Sequence, residues 1–338
     1  MSYKLSILDQ SPIFPGTTAS DALQQTVLLA QKAEEWGYTR FWVSEHHHAK
    51  QLAGSSPEVL ISNLLAQTSK IQIGSGGVML QHYSPYKVAE NFHVLSSLAP
   101  GRVDLGVGKA PGGLPLSTKA LQFGTINDGQ DFSERLSFLK ELIEDSVSGD
   151  HPLAGIQATP IPETKPEIFL LGASTNSARL AAELGISFVF AKFINSDERV
   201  LEEAANLYRE GFPSGRLIIA LAVVAAATQT EAEQLVGNRK IVKVHLESGR
   251  SVTVQSREQA EVFGNQSGEV YEISEHEADI ISGTPAYVNE IFTQLQQKYQ
   301  VDEFILHTPI EQAVERFQSF QLLSPLYSAN KNIQPINS

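Results

Sequence analysis

Four consecutive residues, Glu45-His46-His47-His48, put one carboxylate and three imidazoles at a single place in the chain. Imidazole is the side chain whose unperturbed pKa lies nearest neutral pH, so this group could exchange protons with a substrate. It could also bind a metal: on an extended backbone His46 and His48 would face the same way. A surface loop rich in histidine is the plain alternative. What precedes the cluster favours chemistry. Phe41, Trp42 and Val43 are bulky, β-favouring residues suited to a buried parallel strand. In α/β folds the reacting groups sit just past the carboxyl ends of such strands.

Two other places could bind an anion. Gly172-Ala173-Ser174-Thr175-Asn176-Ser177 joins an apolar run to a helical pattern. Small residues let a phosphate approach, and first-turn N–H groups and hydroxyls can hold it. The same residues also make an ordinary helix cap. Gly108-Lys109 ends another apolar run and offers a cation, which would otherwise be a solvated surface charge. Gly74-Ser75-Gly76-Gly77 interrupts a third run, as a bulge, a close backbone approach or tight packing requires. No GxGxxG follows the first strand and no Walker lysine motif occurs, so nucleotide sites of those types are unsupported.

The elements that must position these groups alternate regularly. Strands are expected at residues 5–9, 41–43, 71–80, 102–108, 167–172, 186–191, 217–224 and 303–307. Between them come helical patterns. Ser20 or Asp21 is the expected first cap, with a stop at Gly37; Ser56-Pro57 and Ser84-Pro85 open the next two helices. A longer helix spans about 128 to 146, and further ones start near Ser174, at Ser196-Asp197, at Pro285 and at Glu311. Residues 151–166 read as a loop. The count and order predict one (β/α)8 barrel domain over residues 1–338. Residues 228–281 form an insertion between strand seven and its helix, read as a lid over the mouth or as an inert excursion, with a turn-rich piece at Gly264–Gly268.

Composition sets outer bounds. The chain has 338 residues, 42% hydrophobic, enough for a sizeable core. It contains no cysteine, which removes disulfides and thiol catalysis and suits a cytoplasmic protein. The first residues lack the apolar core of a secretory signal, and no apolar run reaches membrane-spanning length. A net charge of −13 disfavours nucleic acid as a partner.

Together these pieces resemble the bacterial-luciferase-like family of flavin-dependent monooxygenases. The resemblance rests on Ser44–His47, the Ile73–Gly76 stretch, Gly101–Lys109, Phe123-Gly124, Gly172–Ser177 with Ala181–Gly185 behind it, and Gly283-Thr284-Pro285. It implies FMN as cofactor, reduced by a separate flavin reductase and reacting with O₂ through a flavin hydroperoxide to oxygenate a small organic substrate. By position, His46 corresponds to the histidine beside the reactive edge and Glu45 to the acid before it. Ser75-Gly76 corresponds to a non-proline cis peptide behind the ring. Lys109 stands where a luciferase arginine grips the phosphate; a lysine keeps the charge but loses the fork. Gly172, Ala173, Ser174 and Ser177 correspond to the phosphate turn. The resemblance also implies a homodimer. His48 departs from the pattern. The alternatives are a flavin or deazaflavin oxidoreductase without oxygenation, a non-catalytic flavin-binding barrel, and a metal hydrolase built on His46 and His48 with His307 as a late ligand.

Overall fold

A computed structural model describes residues 2–329 apart from 126, 128, 250 and 255. Parallel strands β1 (Lys4–Asp9), β2 (Arg40–Val43), β3 (Gln72–Met79), β4 (Val103–Gly108), β5 (Glu167–Gly172), β6 (Ser187–Ala191) and β7 (Leu217–Ala225) follow one another. The chain then makes an excursion with β8 (Lys240–Leu246), β9 (Ser251–Val254), β10 (Tyr271–Glu277) and β11 (Ile280–Gly283) before β12 (Glu303–His307). β12 lies between β7 and β1, and β6 pairs with β7, so eight parallel strands close into a barrel. The expected (β/α)8 architecture is therefore present, with β12 as its eighth strand.

Around it run α1 (Ala19–Glu35), α2 (Pro57–Gln67), α3 (Pro85–Leu98), α4 (Pro115–Leu121), α5 (Phe132–Glu144), α6 (Thr175–Leu184), α7 (Glu198–Gly211), α8 (Gln229–Val236), α9 (Arg257–Ser267), α10 (Pro285–Tyr299), α11 (Ala313–Leu323) and α12 (Pro325–Ala329). Among the described residues no helix is long and apolar enough to cross a membrane.

Several boundaries differ from expectation for local reasons. The cap of α1 is Thr18, not Ser20 or Asp21. Its hydroxyl accepts from the Asp21 amide at 3.2 Å, and the Asp21 carboxylate accepts from the Thr18 amide at 2.8 Å. Asp21 thus stands inside the first turn as the other half of a capping box. The long helix is Phe132–Glu144; residue 128, its expected start, lies outside the described residues. α4 was not foreseen, because its seven residues carry too short a pattern. Gly264–Gly268 is not a turn-rich piece. Gly264 lies within α9, where a Cβ would fall 2.5 Å from the Tyr271 ring, so glycine there serves close packing.

Side chains alternate across each barrel strand and stack inside in layers. The floor is ionic: Arg40 reaches Asp104 and Glu303, both at 2.8 Å, and the Trp42 Nε1–H donates to the same Asp104 oxygen at 2.8 Å. The Ser6 hydroxyl donates to Glu303. Above it lies an apolar layer of Leu8, Trp42, Phe169, Val189, Ile218, Ala220 and Ile305. One more alternation toward the C-terminal ends brings Leu171, Ala191, Ala222 and His307 to the inner face. Outward residues such as Ile7, Phe41, Val43 and Ile73 belong to the larger core between sheet and helices.

The excursion contains structure that sequence reading did not anticipate. β8, β9 and β10 make a three-stranded antiparallel sheet, and α9 covers it through Val242, Val244, Leu246, Ala260 and Phe263. Leu114, from the segment after β4, packs against that small core. The Leu116 amide donates to Gln266 Oε1 of α9 at 3.1 Å. The excursion thus leaves from β7 and touches the segment that follows β4. β11 runs parallel to β7 from Ala222 to Ala225, beyond Ala220 where β6 leaves off.

Candidate active site

β2 ends at Val43, and the next residues form the wall of the barrel mouth. Glu45 is buried at 1% exposure with its carboxylate occupied. His47 Nε2–H donates to Oε1 at 2.7 Å, the Tyr83 hydroxyl donates to the same oxygen at 2.7 Å, and the Met79 amide donates to Oε2 at 3.0 Å. One carboxylate therefore ties the β2 loop to the end of β3 and to Tyr83. Burial and that carboxylate hold the Tyr83 phenol well above its ordinary pKa. A second tie is parallel: His82 Nε2–H donates to the Pro111 carbonyl at 2.8 Å, and Gln122 donates to His82 Nδ1 at 3.1 Å. The His47 amide donates to the Gly112 carbonyl at 2.7 Å, completing a link among three strand-end loops.

His46 stands on this frame. Its amide is held by the Gly54 carbonyl at 2.8 Å, and its Nδ1 shares a hydrogen bond with the Ser44 hydroxyl at 3.1 Å. Burial, then the neighbouring His47, push its pKa down to about 4 against the pull of Glu45. The imidazole is thus neutral near pH 7 and can give or take a proton at a nitrogen. His48 is exposed and sits at φ +55°, so the extended backbone assumed for a His46-x-His48 ligand pair is not present. Among the described residues no group of three His, Cys, Asp or Glu side chains stands together as a metal-ligand set.

The glycine run in β3 lies directly beside β2, with Val43 opposite Ser75. Ser75 points away from the mouth, its hydroxyl donating to the Gly106 carbonyl at 2.8 Å. The non-proline cis peptide expected at Ser75-Gly76 is one bond further on, at Gly76-Gly77. The β3–β4 register shifts between Ser75 and Val78, the stretch that contains this bond. A Cβ on Gly76 would fall 2.7 Å from Leu8 Cδ1 and 3.2 Å from Trp42, so its inner face has no room for a side chain.

Gly108 of β4 is opposite Leu171 of β5, so Lys109 and the Gly172–Ser177 turn emerge from adjacent strand ends. Lys109 is exposed, and no ion pair involving it occurs among the described residues. Ser174 caps α6, its Oγ accepting from the Ser177 amide at 3.3 Å and lying 3.1 Å from Ser177 Oγ. A Cβ on Gly172 would fall 2.3 Å from Ser177 Cβ, which explains the glycine. The Ala173 carbonyl accepts from Asn195 at 2.9 Å.

Three mouth residues escaped sequence reading or were weighed only as metal ligands. Lys192, at the end of β6, is buried and paired with Asp279. His307 ends β12 with its ring 5.8 Å from that of Phe193. Its Nδ1 is buried without a hydrogen-bond partner, and burial, then Arg316, depress its pKa to about 4. Arg239, in the excursion, also has a buried Nε without a partner. Polar residues at strand ends were the available signal, but contact across the excursion was not visible along the chain.

The closed parallel barrel carries histidines, a lysine and a hydroxyl-bearing turn at its C-terminal mouth, the end where α/β-barrel enzymes place their reacting groups. Residues 3–321 match the family model described as luciferase-like monooxygenase, and the chain belongs to that family. It is 52% identical over 331 residues to the N-acetyl-S-alkylcysteine monooxygenase of Bacillus subtilis (strain 168), covering 97% of this chain and 99% of the relative. Among solved structures it resembles apo-MsnO8 with a TM-score of 0.78 and 30% identity, covering 97% and 99% of the two chains. It also shares the fold of the oxygenating constituent of 3,6-diketocamphane monooxygenase of Pseudomonas putida, a structure in complex with FMN, with a TM-score of 0.70 at 19% identity, covering 99% and 100%.

Proposed function

We propose that this enzyme uses reduced FMN and O₂ to put one oxygen atom into a small N-acylated, S-alkylated cysteine or a close thioether analogue. The observation that carries the cofactor half is the pairing of Gly108 with Leu171, which sets Lys109, without an ion pair among the described residues, on a strand end adjacent to the one that carries the Ser174–Ser177 turn. That donor set suits a phosphate: one point charge, two hydroxyls and the first amides of α6. The substrate half comes from the 52% identical relative.

Bound reduced flavin supplies the electrons that let O₂ yield one oxygen to the substrate and one to water. The chain's own residues bind, orient and shelter. His46, neutral at pH 7, exchanges a proton at its free ring nitrogen. Glu45 holds His47, Tyr83 and Met79 so that the His46 backbone stays in place. The excursion, through α9 and α4, acts as the lid that excludes water. The protein is a cytoplasmic homodimer that receives reduced flavin from a separate reductase.

Titration of the protein with FMN and with riboflavin, followed by fluorescence, tests this reading. FMN should bind more tightly than riboflavin, and Lys109→Ala should weaken FMN about tenfold while leaving riboflavin unchanged. Equal losses would remove Lys109 from the phosphate site, and no binding of either flavin in any redox state would end the flavin reading. Conversion of N-acetyl-S-methylcysteine with supplied reduced FMN tests the substrate.

A further inference from the structure

The mouth has a second polar end, opposite the Lys109 side. On β12 the inner positions run Glu303, Ile305, His307, so the His307 ring continues the interior layers at the mouth. Beside it on β7 is Ala222, its register partner, a residue too small to cover the ring. The ring remains partly open: its Nδ1 is enclosed without a partner among the described residues, and Nε2 is its accessible nitrogen. Buried polar atoms without partners are uncommon, because each forfeits its hydration.

Arg239 reaches the same place from above. Its carbonyl accepts from the Ala278 amide at 3.0 Å, one residue before Asp279, which clasps Lys192 at the end of β6. Its guanidinium extends to Glu311, beyond the end of β12, at 3.2 Å. Arg239 therefore crosses the β7 end of the mouth between β6 and β12. It is one of the charges felt by His307, together with Arg316, Asp9 and His46. Glu311 is 60% exposed, so its hold on Arg239 is weak, and the enclosed Arg239 Nε has no partner among the described residues. Arg316 is already committed to Asp9 at 2.6 Å in the layer between β1 and α11.

We propose that Arg239 and His307 form a carboxylate subsite that binds the substrate's acid group at the β7–β12 side of the mouth. Arg239 supplies charge and its terminal N–H donors, and His307 supplies one hydrogen bond through Nε2, the ring nitrogen that is not enclosed. The arrangement separates two anions: the flavin phosphate at β4–β5 and the substrate carboxylate three strands further round. This inference rests on the thioether-acid reading and refines it, assigning the residues that select the acid.

Calorimetric binding of N-acetyl-S-methylcysteine and of its carboxamide to the FMN-loaded protein tests it without turnover. The wild-type protein should prefer the acid by about ten- to hundredfold, the range of a hydrogen-bonded charge. Arg239→Gln should abolish that preference, Arg239→Lys should keep part of it, and His307→Phe should reduce it. His307→Gln, which places an amide near Nε2, should recover some of the loss. FMN affinity should be unchanged in all four. Equal binding of acid and amide by the wild type, or a preference that survives Arg239→Gln, would overturn the subsite while leaving the substrate class standing. Failure of the wild type to bind either compound would overturn both. A loss of FMN affinity matching the loss of acid binding would put these residues on the cofactor and overturn the subsite alone.

Discussion

The two ends of the barrel interior both hold buried polar groups, but they treat them differently. At the floor, Arg40 is shared by Asp104 and Glu303, Trp42 and Ser6 donate to the same carboxylates, and every side chain is 1% exposed or less. At the mouth, His307 Nδ1 and Arg239 Nε have no partner, and Lys109 has no counter-ion among the described residues. The floor also leaves Asp104 Oδ1 and Glu303 Oε2 unmatched, but these are the second oxygens of carboxylates already bonded. Polar groups that face each other make structure. The mouth leaves more of its polar groups, among them the exposed Lys109 and the partly open His307, without a protein partner among the described residues.

The strongest test of this contrast is to break each end. Arg40→Leu leaves two carboxylates buried without their cation and should cost about 3–5 kcal/mol of stability. His307→Phe removes an unsatisfied polar atom and should cost little or raise stability. Denaturant unfolding of both variants measures the difference. An Arg40→Leu protein as stable as the wild type would show that the floor is not held by its ions.

Next in size is a pair of opposed pH slopes. Burial raises the Asp104 pKa to about 6 from its ordinary 3.8, although Arg40 and Trp42 oppose the shift. The native state then binds more protons than the unfolded chain between those values. Its contribution is full below about pH 4 and is lost as pH rises to 6. His46 and His307 are depressed to about 4 from 6.5, so the native state binds fewer protons there. Their contribution is full above about pH 6.5 and is lost as pH falls toward 4. Thermal unfolding between pH 4 and 7 should therefore show Asp104→Asn removing a falling component and His307→Phe removing a rising one. Changes in slope of the same sign in both variants, each taken relative to wild type, would contradict the protonation states assigned to the two ends.

The same contrast explains what the sequence made legible. Strand ends were readable because apolar runs stop sharply at Glu45, Lys109 and Gly172, and the alternation of eight such runs implied closure. The floor was not readable. Arg40, Asp104 and Glu303 lie far apart in the chain and look like ordinary charges until β2, β4 and β12 meet. The cis peptide fell one bond away, at Gly76-Gly77, because four adjacent small residues offer no internal landmark. The sheet of the excursion is visible only in part: Val242, Val244 and Leu246, like Tyr271 and Ile273, alternate with polar residues, but β9 is only four residues long and nothing along the chain shows that the three strands pair. Arg239 was invisible as a mouth residue, since its approach to His307 depends on how the excursion folds back.

A smaller effect is expected at Glu45, whose bonds hold the frame rather than an open cavity. Glu45→Gln keeps an acceptor but replaces one carboxylate oxygen with an amide that faces the Met79 N–H or the Tyr83 hydroxyl. One bond is lost and one donor clash is added, which should cost about 1–3 kcal/mol. Hydrogen exchange should quicken in residues 44–48, at the end of β3 and in 109–113, while the floor amides of β2 and β4 stay protected. Uniform acceleration through the barrel would mean that Glu45 supports the whole fold and not the mouth alone.

The smallest expected effect concerns the excursion. Its helix α9 reaches α4 through the bond from the Leu116 amide to Gln266 Oε1 and the packing of Leu114 on the small core around Phe263. Leu116 is 54% exposed, so the bond is wet and Gln266→Ala should cost less than about 1 kcal/mol globally. A lid needs only a slight bias between open and closed, however, and such a loss shifts that balance several-fold. Limited proteolysis in the excursion should therefore speed up in Gln266→Ala with no change in the unfolding midpoint, and bound FMN with N-acetyl-S-methylcysteine should slow it again. If ligands leave the cleavage rate of wild type and variant unchanged, the excursion does not close on the site, and shelter for the reaction must come from the barrel mouth itself.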